Sequence, residues 1–535
     1  MGTSDRGFGT IWVMKIMSKE EQRLSLQSDL DAQKSISDRR KFGQFATPTE
    51  LANEVVSFGL DILNSNTVRF LDPALGTGSF FSALTNHADS TIIEKATGIE
   101  IDSHYAIPAQ ELWRNTVLDI AIGDFTVLPP KRKFNFVICN PPYVRHHLIE
   151  DKERIKTRTK QFSGVELSGL AGLYCHFLLQ SIAWMENDGI AGWLIPSEFM
   201  DVNYGSMVKS FLLNNVELLQ IHRYDPNDVQ FDDALVSSAV VWFRNRKPKG
   251  NPSVKFTYGG RLSAPNIVRL VPVSELQKES KWTRFPLQTV RTHNESSAVL
   301  GDFFLVKRGI ATGNNNFFIL EKDKIREFDL PHEVFRPVLP NSRNLPSDEI
   351  LADDSGNPLL SRELFLLDCK LPEHEVKMRY PTLWDYLLKG KESVAKGYLC
   401  QSRKCWYYQE QREAPLFICT YMGRERNESG TSFRFILNHS TATVTNCYLA
   451  LYPKGIMKEF LKRYPHELQN VWGIMNRVDS QSFIDEGRVY GGGLRKVEPK
   501  ELMRVPVPEM DSLIRSNRGD VSFKTDKAIQ LNMFG

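Results

Sequence analysis

Four consecutive residues, Asn140, Pro141, Pro142 and Tyr143, combine a planar acceptor with an aromatic ring at one corner of the chain. An Asn side-chain oxygen and the neighbouring Pro141 carbonyl can both accept from an exocyclic amino group, while the tyrosine ring offers a face on which a flat base or amide stacks. The chemistry suggested is transfer to an amino nitrogen. Two prolines in a row fix φ at about −65° and hold Asn140 extended, so the corner is stiff before a ligand arrives. It follows directly on the apolar run Phe134-Asn135-Phe136-Val137-Ile138-Cys139, which predicts a buried strand. In an open α/β sheet, ligands bind at the carboxyl ends of such strands. A turn that only ends the strand is the competing reading of the tetrapeptide.

The elements that would position this corner lie upstream. Val68 to Leu71 leads into Asp72-Pro73-Ala74-Leu75-Gly76-Thr77-Gly78-Ser79-Phe80-Phe81, a short strand followed by a glycine turn and the start of a helix. Gly76 and Gly78 permit a tight turn and close approach of a ligand. Phe81 stands where a dinucleotide fingerprint requires its last glycine, so a pyrophosphate is not the expected guest. Ala96-Thr97-Gly98-Ile99-Glu100-Ile101-Asp102 predicts a second strand ending in an acid, which suits a carboxylate accepting from two ribose hydroxyls. A third strand end falls at Ala121-Ile122-Gly123-Asp124-Phe125, where Asp124 can accept from an adenine amino group with Phe125 beside the ring. A strand-terminal acid is commonly a solvated cap. Four such ends in order, closing on Asn140, argue for one nucleoside site.

These residues resemble the N6-adenine DNA methyltransferases of the gamma arrangement, in which cofactor motifs come first and the DNA-reading region last. The resemblance is to the TaqI-like group and closer to the BsuBI/PstI modification methylases. Gly43-Gln44-Phe45-Ala46-Thr47-Pro48-Thr49-Glu50-Leu51-Ala52 is similar to that family's first motif, with Thr47 as a helix cap and Pro48 in the first turn. The stretch from Val229 to Phe243 resembles its late motif, a loop aromatic ahead of an apolar strand. Val306 to Phe318 and Arg488 to Lys496 look like parts of its recognition half, and their basic residues, glycines and amides suit contacts to phosphates and base edges.

The resemblance implies a Rossmann-like α/β S-adenosylmethionine-dependent methyltransferase domain followed by an α+β target-recognition domain. It implies that Thr47, Asp72, Pro73, Ala74, Gly76, Gly78, Glu100, Ile101, Asp124, Phe125 and Asn140 hold S-adenosyl-L-methionine. Asn140, Pro141, Tyr143 and Phe231 would act on an adenine flipped out of double-stranded DNA, within a palindromic site of the CTGCAG kind. A separate cognate restriction endonuclease and monomeric action are expected with it. The corner by itself also suits methyl transfer to cytosine N4, to guanine of ribosomal RNA or to a protein amide; Thr47-Pro48 and the large C-terminal half favour DNA. A catalytically idle DNA-binding relative is disfavoured by the intact corner. Too few residues precede Gly43 for an N-terminal nuclease domain, so a methylase without its endonuclease is expected.

With 535 residues, 41% hydrophobic and 24% charged, the chain has the composition of a globular protein of about two domains. The charged Pro/Gly break from Arg244 to Ser253 predicts a boundary, giving a catalytic domain over 18–247, a target-recognition domain over 248–510 and a tail over 511–535. A helix is expected from Ser18, with Met14 or Met17 as the natural start. No 20-residue apolar span or secretory signal is evident, which predicts a cytoplasmic prokaryotic protein with no membrane partner. Seven scattered cysteines fit a reducing compartment, and Cys400 and Cys405 lack paired zinc-site spacing, so no metal is expected. The net charge of +3 does not announce a nucleic-acid partner, but the run from Arg145 through Lys160 predicts a mobile basic lid or a solvated helix face.

Overall fold

The computed structural model describes residues 17–131, 133–225, 237–286, 298–423, 433–479, 482–483, 486–490 and 494–517. Two compact units comprise residues 1–291 with 490–492, and residues 292–489 with 493–535.

The first unit is built on a nine-stranded sheet. Val68–Asp72 (β1), Ile93–Glu100 (β2), Leu118–Ile122 (β3), Phe134–Cys139 (β4) and Met185–Pro196 (β5) run parallel in the order β3-β2-β1-β4-β5. Glu217–Arg223 (β6) and Ser238–Arg244 (β7) come next, with β7 antiparallel between β5 and β6. Ser253–Gly260 (β8) and Pro265–Pro272 (β9) extend the sheet beyond β6. The chain moves outward from β1 to β3 and returns to lay β4 on the other side of β1. Strand order therefore reverses between β1 and β4, and the crevice beyond their carboxyl ends is the natural ligand site of an open sheet.

Every residue of β4, Asn135 included, is buried, as its mainly apolar run predicts for a strand covered on both faces. Phe136 and Ile138 enter one core with Val55, Phe81, Trp113 and Trp242; Val137 and Cys139 enter the other with Phe177, Trp184 and Trp193. This period of two holds the strand in register. Truncating Phe136 to alanine would cost about 3 to 5 kcal/mol and loosen the strand that carries the corner.

The helices nearest the site are Lys19–Ala32 (α1), Ile36–Lys41 (α2), Thr49–Ile62 (α3), Ser79–His87 (α4), Ser103–Trp113 (α5), Lys152–Ser163 (α6) and Leu173–Gln180 (α7). The helix expected from Ser18 is present, and Ser18 and Glu21 close a reciprocal capping box.

Two expectations are corrected, and one pair of alternatives is decided. The boundary falls after residue 291 rather than at 247/248, because β8 and β9 continue the sheet: Gln220 to Arg223 of β6 pair with Lys255 to Tyr258 of β8. Of the two readings of the basic segment after the corner, it takes that of a helix face: α6 docks through its buried side while Arg154 and Lys160 stand exposed. Ile155, Thr159 and Ser163 of α6 are buried, Arg158 donates to the Thr126 and Leu128 carbonyls at 2.9 Å, and Thr159 meets His176 Nδ1 of α7 at 2.8 Å. Lys156 and Lys160 both pair with Glu166, at 3.1 and 2.8 Å. The expected tail also starts too early. Helix Pro508–Ser516 buries Met510 and Ile514 in the second unit's core; residues 518–535 lie outside the described residues.

The second unit mixes helices with small sheets, the α+β character expected of it. Its largest sheet orders Phe304–Arg308, Tyr448–Pro453, Phe417–Thr420, Phe435–Asn438 and Glu349–Ile350, antiparallel except at the last pair. Among the described residues no helix is long and apolar enough to cross a membrane.

Candidate active site

Asn140 follows the last residue of β4, and its side chain is held from one end. Its Nδ2 donates to the Phe45 carbonyl and to Thr47 Oγ1, both at 3.2 Å. Pro141 is buried, and Tyr143 is half-buried with its hydroxyl donating to the Leu194 carbonyl of β5 at 3.1 Å. Burial pushes the Tyr143 hydroxyl far above its ordinary value. The ring lies 6.0 Å from that of Phe45. The corner thus offers an amide oxygen, carbonyls and an aromatic surface, with no charge at neutral pH.

Asp72 and Glu100, at the ends of adjacent β1 and β2, form a cradle of opposite character. Glu100 accepts from the Gly76 and Asp102 amides at 2.9 Å each, and Asp72 accepts from the Ala74 amide at 3.1 Å. Burial pushes the Asp72 carboxyl up to about 8, with the Glu100 charge adding to the rise and the Ala74 amide opposing it. Burial likewise raises Glu100, against its backbone donors. Buried carboxylates of this kind call for donors from a ligand.

The surroundings fit a nucleoside-bearing cofactor. At Gly76, φ is +57° and a Cβ would meet nothing within 4 Å, so backbone and open space adjoin. Ile101 is 65% exposed beside Glu100, an apolar side chain at the strand end where a purine would pack. Asp124 lies at the third strand end, its Oδ1 occupied by the Thr126 amide and hydroxyl at 2.8 and 2.7 Å.

Other sites differ from expectation. The Phe125 side chain is 2% exposed and packs on Phe177 and Trp184, with ring centroids 5.0 and 5.4 Å away, so core packing takes it from the crevice. At Gly78, φ is +96° and a Cβ would stand 2.7 Å from Trp113 Nε1; that glycine admits an indole rather than a ligand. Thr47 does not cap α3. Pro48 takes the N-cap without a side-chain bond, and the buried Thr47 hydroxyl serves Asn140 instead. Phe231 lies outside the described residues. The strands flanking it meet at the edge of the corner: Ser238 pairs with Pro196, and the Tyr224 amide donates to the Ser238 carbonyl at 3.3 Å.

Sequence reasoning missed the supports behind these residues. Arg23, 1% exposed on α1, grips Glu20 and donates to Thr77 Oγ1 at 3.2 Å and Thr49 Oγ1 at 3.4 Å, tying the glycine turn to the start of α3. Asp102 caps α5 while holding Lys34 and, at 2.8 Å, Gln44. Burial works to raise its pKa, but the Lys34 and Gln44 bonds outweigh it and leave the carboxyl below its ordinary value. An arginine on the inner face of an amphipathic helix is the only signal the sequence carried for Arg23.

In the second unit, two sequence-distant segments converge. Arg308 and Lys496 both lie over the Tyr421 ring, at 4.2 and 5.0 Å from its centroid. Arg403 donates to the Ala311 and Thr312 carbonyls at 2.7 and 2.9 Å, fixing the turn from which Gly313 to Asn316 stand exposed.

The carboxylate-lined switch point at β1/β4, the antiparallel β7 and the Asn-Pro-Pro-Tyr corner together form a Rossmann-like α/β sheet with a candidate nucleoside site at its carboxyl edge. A solved class I S-adenosylmethionine-dependent methyltransferase from Listeria monocytogenes aligns at 19% identity over 47% of this chain and 76% of its own, with a TM-score of 0.38. Residues 81–230 match the family model for the Eco57I restriction-modification methylase, and residues 279–532 match that for the C-terminal domain of the Type II methyltransferase M.Eco57I. The chain is 26% identical to the Type II methyltransferase M.AccI of Acinetobacter calcoaceticus over 89% of its length and 87% of the relative's. It is also 26% identical to M.XamI of Xanthomonas campestris pv. amaranthicola, over 83% and 81% respectively. Along most of its length the chain is thus similar to Type II restriction-modification methylases.

Proposed function

We propose that the chain transfers the methyl group of S-adenosylmethionine to N6 of an adenine turned out of duplex DNA, in the gamma arrangement with cofactor segments ahead of the DNA-reading region. The observation that carries this reading is the corner itself: a neutral amide held by its nitrogen, with its oxygen left to accept, beside a partly open tyrosine ring. An adenine stacked in a duplex cannot present its amino group, and turning it out costs a few kcal/mol. Stacking on Tyr143, worth about 1 to 3 kcal/mol, offsets much of that. Asn140 Oδ1 and the Pro141 carbonyl then accept the two amino hydrogens and aim the nitrogen lone pair. The bound cofactor supplies an already activated methyl group, so positioning and exclusion of water carry the rate and no strong general base is required.

Glu100 would accept from the ribose hydroxyls, Ile101 would pack on the purine, and Asp72, Gly76 and Asp124 would complete the cofactor cradle. By the same resemblance Phe231 would contact the turned-out base. The segments around Arg308 and Lys496, whose motifs resemble the BsuBI/PstI group, would read a palindromic site of the CTGCAG kind. Monomeric action in the cytoplasm beside a separate endonuclease completes the proposal.

Single-molecule sequencing of DNA from cells expressing the chain or Asn140→Ala, scoring modified bases by context, tests it. The expected result is one N6-methyladenine motif, absent in the variant. A motif carrying N4-methylcytosine transfers the same chemistry to the other base, and no DNA mark from a protein that binds cofactor overturns the proposal.

A further inference from the structure

We infer that the segment from Gly43 to Thr47 is the orienting device of the transfer corner, with Thr47 and the Phe45 carbonyl deciding which end of the Asn140 amide faces the substrate. The inference rests on the corner being the transfer site. An asparagine amide is two-sided: one end accepts, the other donates, and a corner that must accept from an amino group fails when the amide turns over. A backbone carbonyl can only accept, so the end of Asn140 lying 3.2 Å from the Phe45 oxygen is the nitrogen. The second amide hydrogen points to Thr47 Oγ1, also at 3.2 Å. Both donors are engaged, and Oδ1 accepts from no side chain or amide among the described residues. Turning the amide over would set Oδ1 against the Phe45 carbonyl, two acceptors with no proton between them.

The local backbone is shaped for this grip. At Gly43, φ is +64° and a Cβ would stand 2.4 Å from the Tyr143 nitrogen and 3.0 Å from the Pro142 carbonyl carbon, so only glycine lets the segment lie against the corner. Thr47 is 6% exposed and relieved of capping, since Pro48 occupies the N-cap of α3. Its hydroxyl oxygen is therefore fixed in place as an acceptor for Asn140. Thr47 and Gly43 are positioning residues: they act through Asn140.

The test uses the full chain with Thr47→Val, which keeps the shape of the side chain and removes the acceptor, and Thr47→Ser, which restores it. Three quantities are read: the dissociation constant for S-adenosylmethionine, the single-turnover transfer rate at saturating cofactor and DNA, and hydrogen exchange of the Asn140 side-chain amide in selectively 15N-asparagine-labelled protein, assigned with Asn140→Ala. Thr47→Val is expected to slow saturated transfer about tenfold and to expose the Asn140 amide to exchange, while cofactor affinity stays within about threefold. Thr47→Ser should recover both rate and protection. Asn140→Asp, which cannot donate to the Phe45 carbonyl, should fall to the rate of Asn140→Ala. An unchanged saturated rate in Thr47→Val, or a loss confined to cofactor affinity, overturns the inference. A wild-type chain that marks no DNA, yet shows a protected Asn140 amide lost in Thr47→Val and regained in Thr47→Ser, supports the clamp and removes DNA as its substrate.

Discussion

The transfer corner and the carboxylate cradle share one sheet edge but are built from opposite electrostatics. Asn140, Pro141 and Tyr143 offer only neutral groups, the one hydroxyl being pushed far up by burial. Asp72 and Glu100 are acids held in burial that disfavours their charge, each steadied by backbone amides. On the proposed function, the difference divides the tasks. A neutral corner can aim an amine without taking its proton, whereas buried acids deprived of water gain most when a ligand brings donors. Binding energy should therefore reside in the cradle and rate in the corner.

The largest expected effect is at the corner: Asn140→Ala should lower saturated methyl transfer about 10²- to 10³-fold, with cofactor affinity nearly unchanged, in a single-turnover assay with labelled methyl groups. Glu100→Gln should do the reverse, weakening cofactor binding about 10- to 100-fold by calorimetry while the saturated rate moves little. If both variants lose rate and affinity together, the division of labour is broken.

Asp72 sharpens the comparison through pH. Its carboxyl is raised from 3.8 to about 8, so the folded chain keeps a proton that the unfolded chain releases. Its contribution to stability is full below the unfolded value and is lost as pH rises through the folded one, at about 1.4 kcal/mol per pKa unit of difference. Asp72→Asn should accordingly raise the melting temperature relative to wild type more at pH 9 than at pH 6. The smallest effect expected is in the corner's own pH profile. With cofactor and DNA saturating, the transfer rate should vary less than about twofold between pH 6.5 and 8.5, and a bell-shaped curve would reveal a titrating group that the comparison denies.

Much of this edge was legible because it is local. The apolar run of β4, the prolines after it and three earlier strand ends each announce themselves within a few residues, and their order predicts a common edge. What depended on contact between distant segments was not legible. Nothing near Phe125 says that Phe177 and Trp184 will claim its ring. The Pro/Gly break after Arg244 reads as a linker because the pairing of β8 with β6 is invisible in either segment alone. Thr47 has the local signature of a cap, and only the approach of Asn140 gives it another partner. The sequence position of Gly43 carries no hint of the peptide it lies against.

The connection between β6 and β7 leaves and re-enters the sheet at one point, where the Tyr224 amide meets the Ser238 carbonyl and Ser238 pairs with Pro196. Loops closed at the base can change length at little entropic cost, each doubling adding only about 0.6 kcal/mol. Chain added between two ends so closed leaves the pairing of β5, β6 and β7 as it stands. A lineage could therefore vary what lies between those ends while inheriting the sheet and its switch point unchanged.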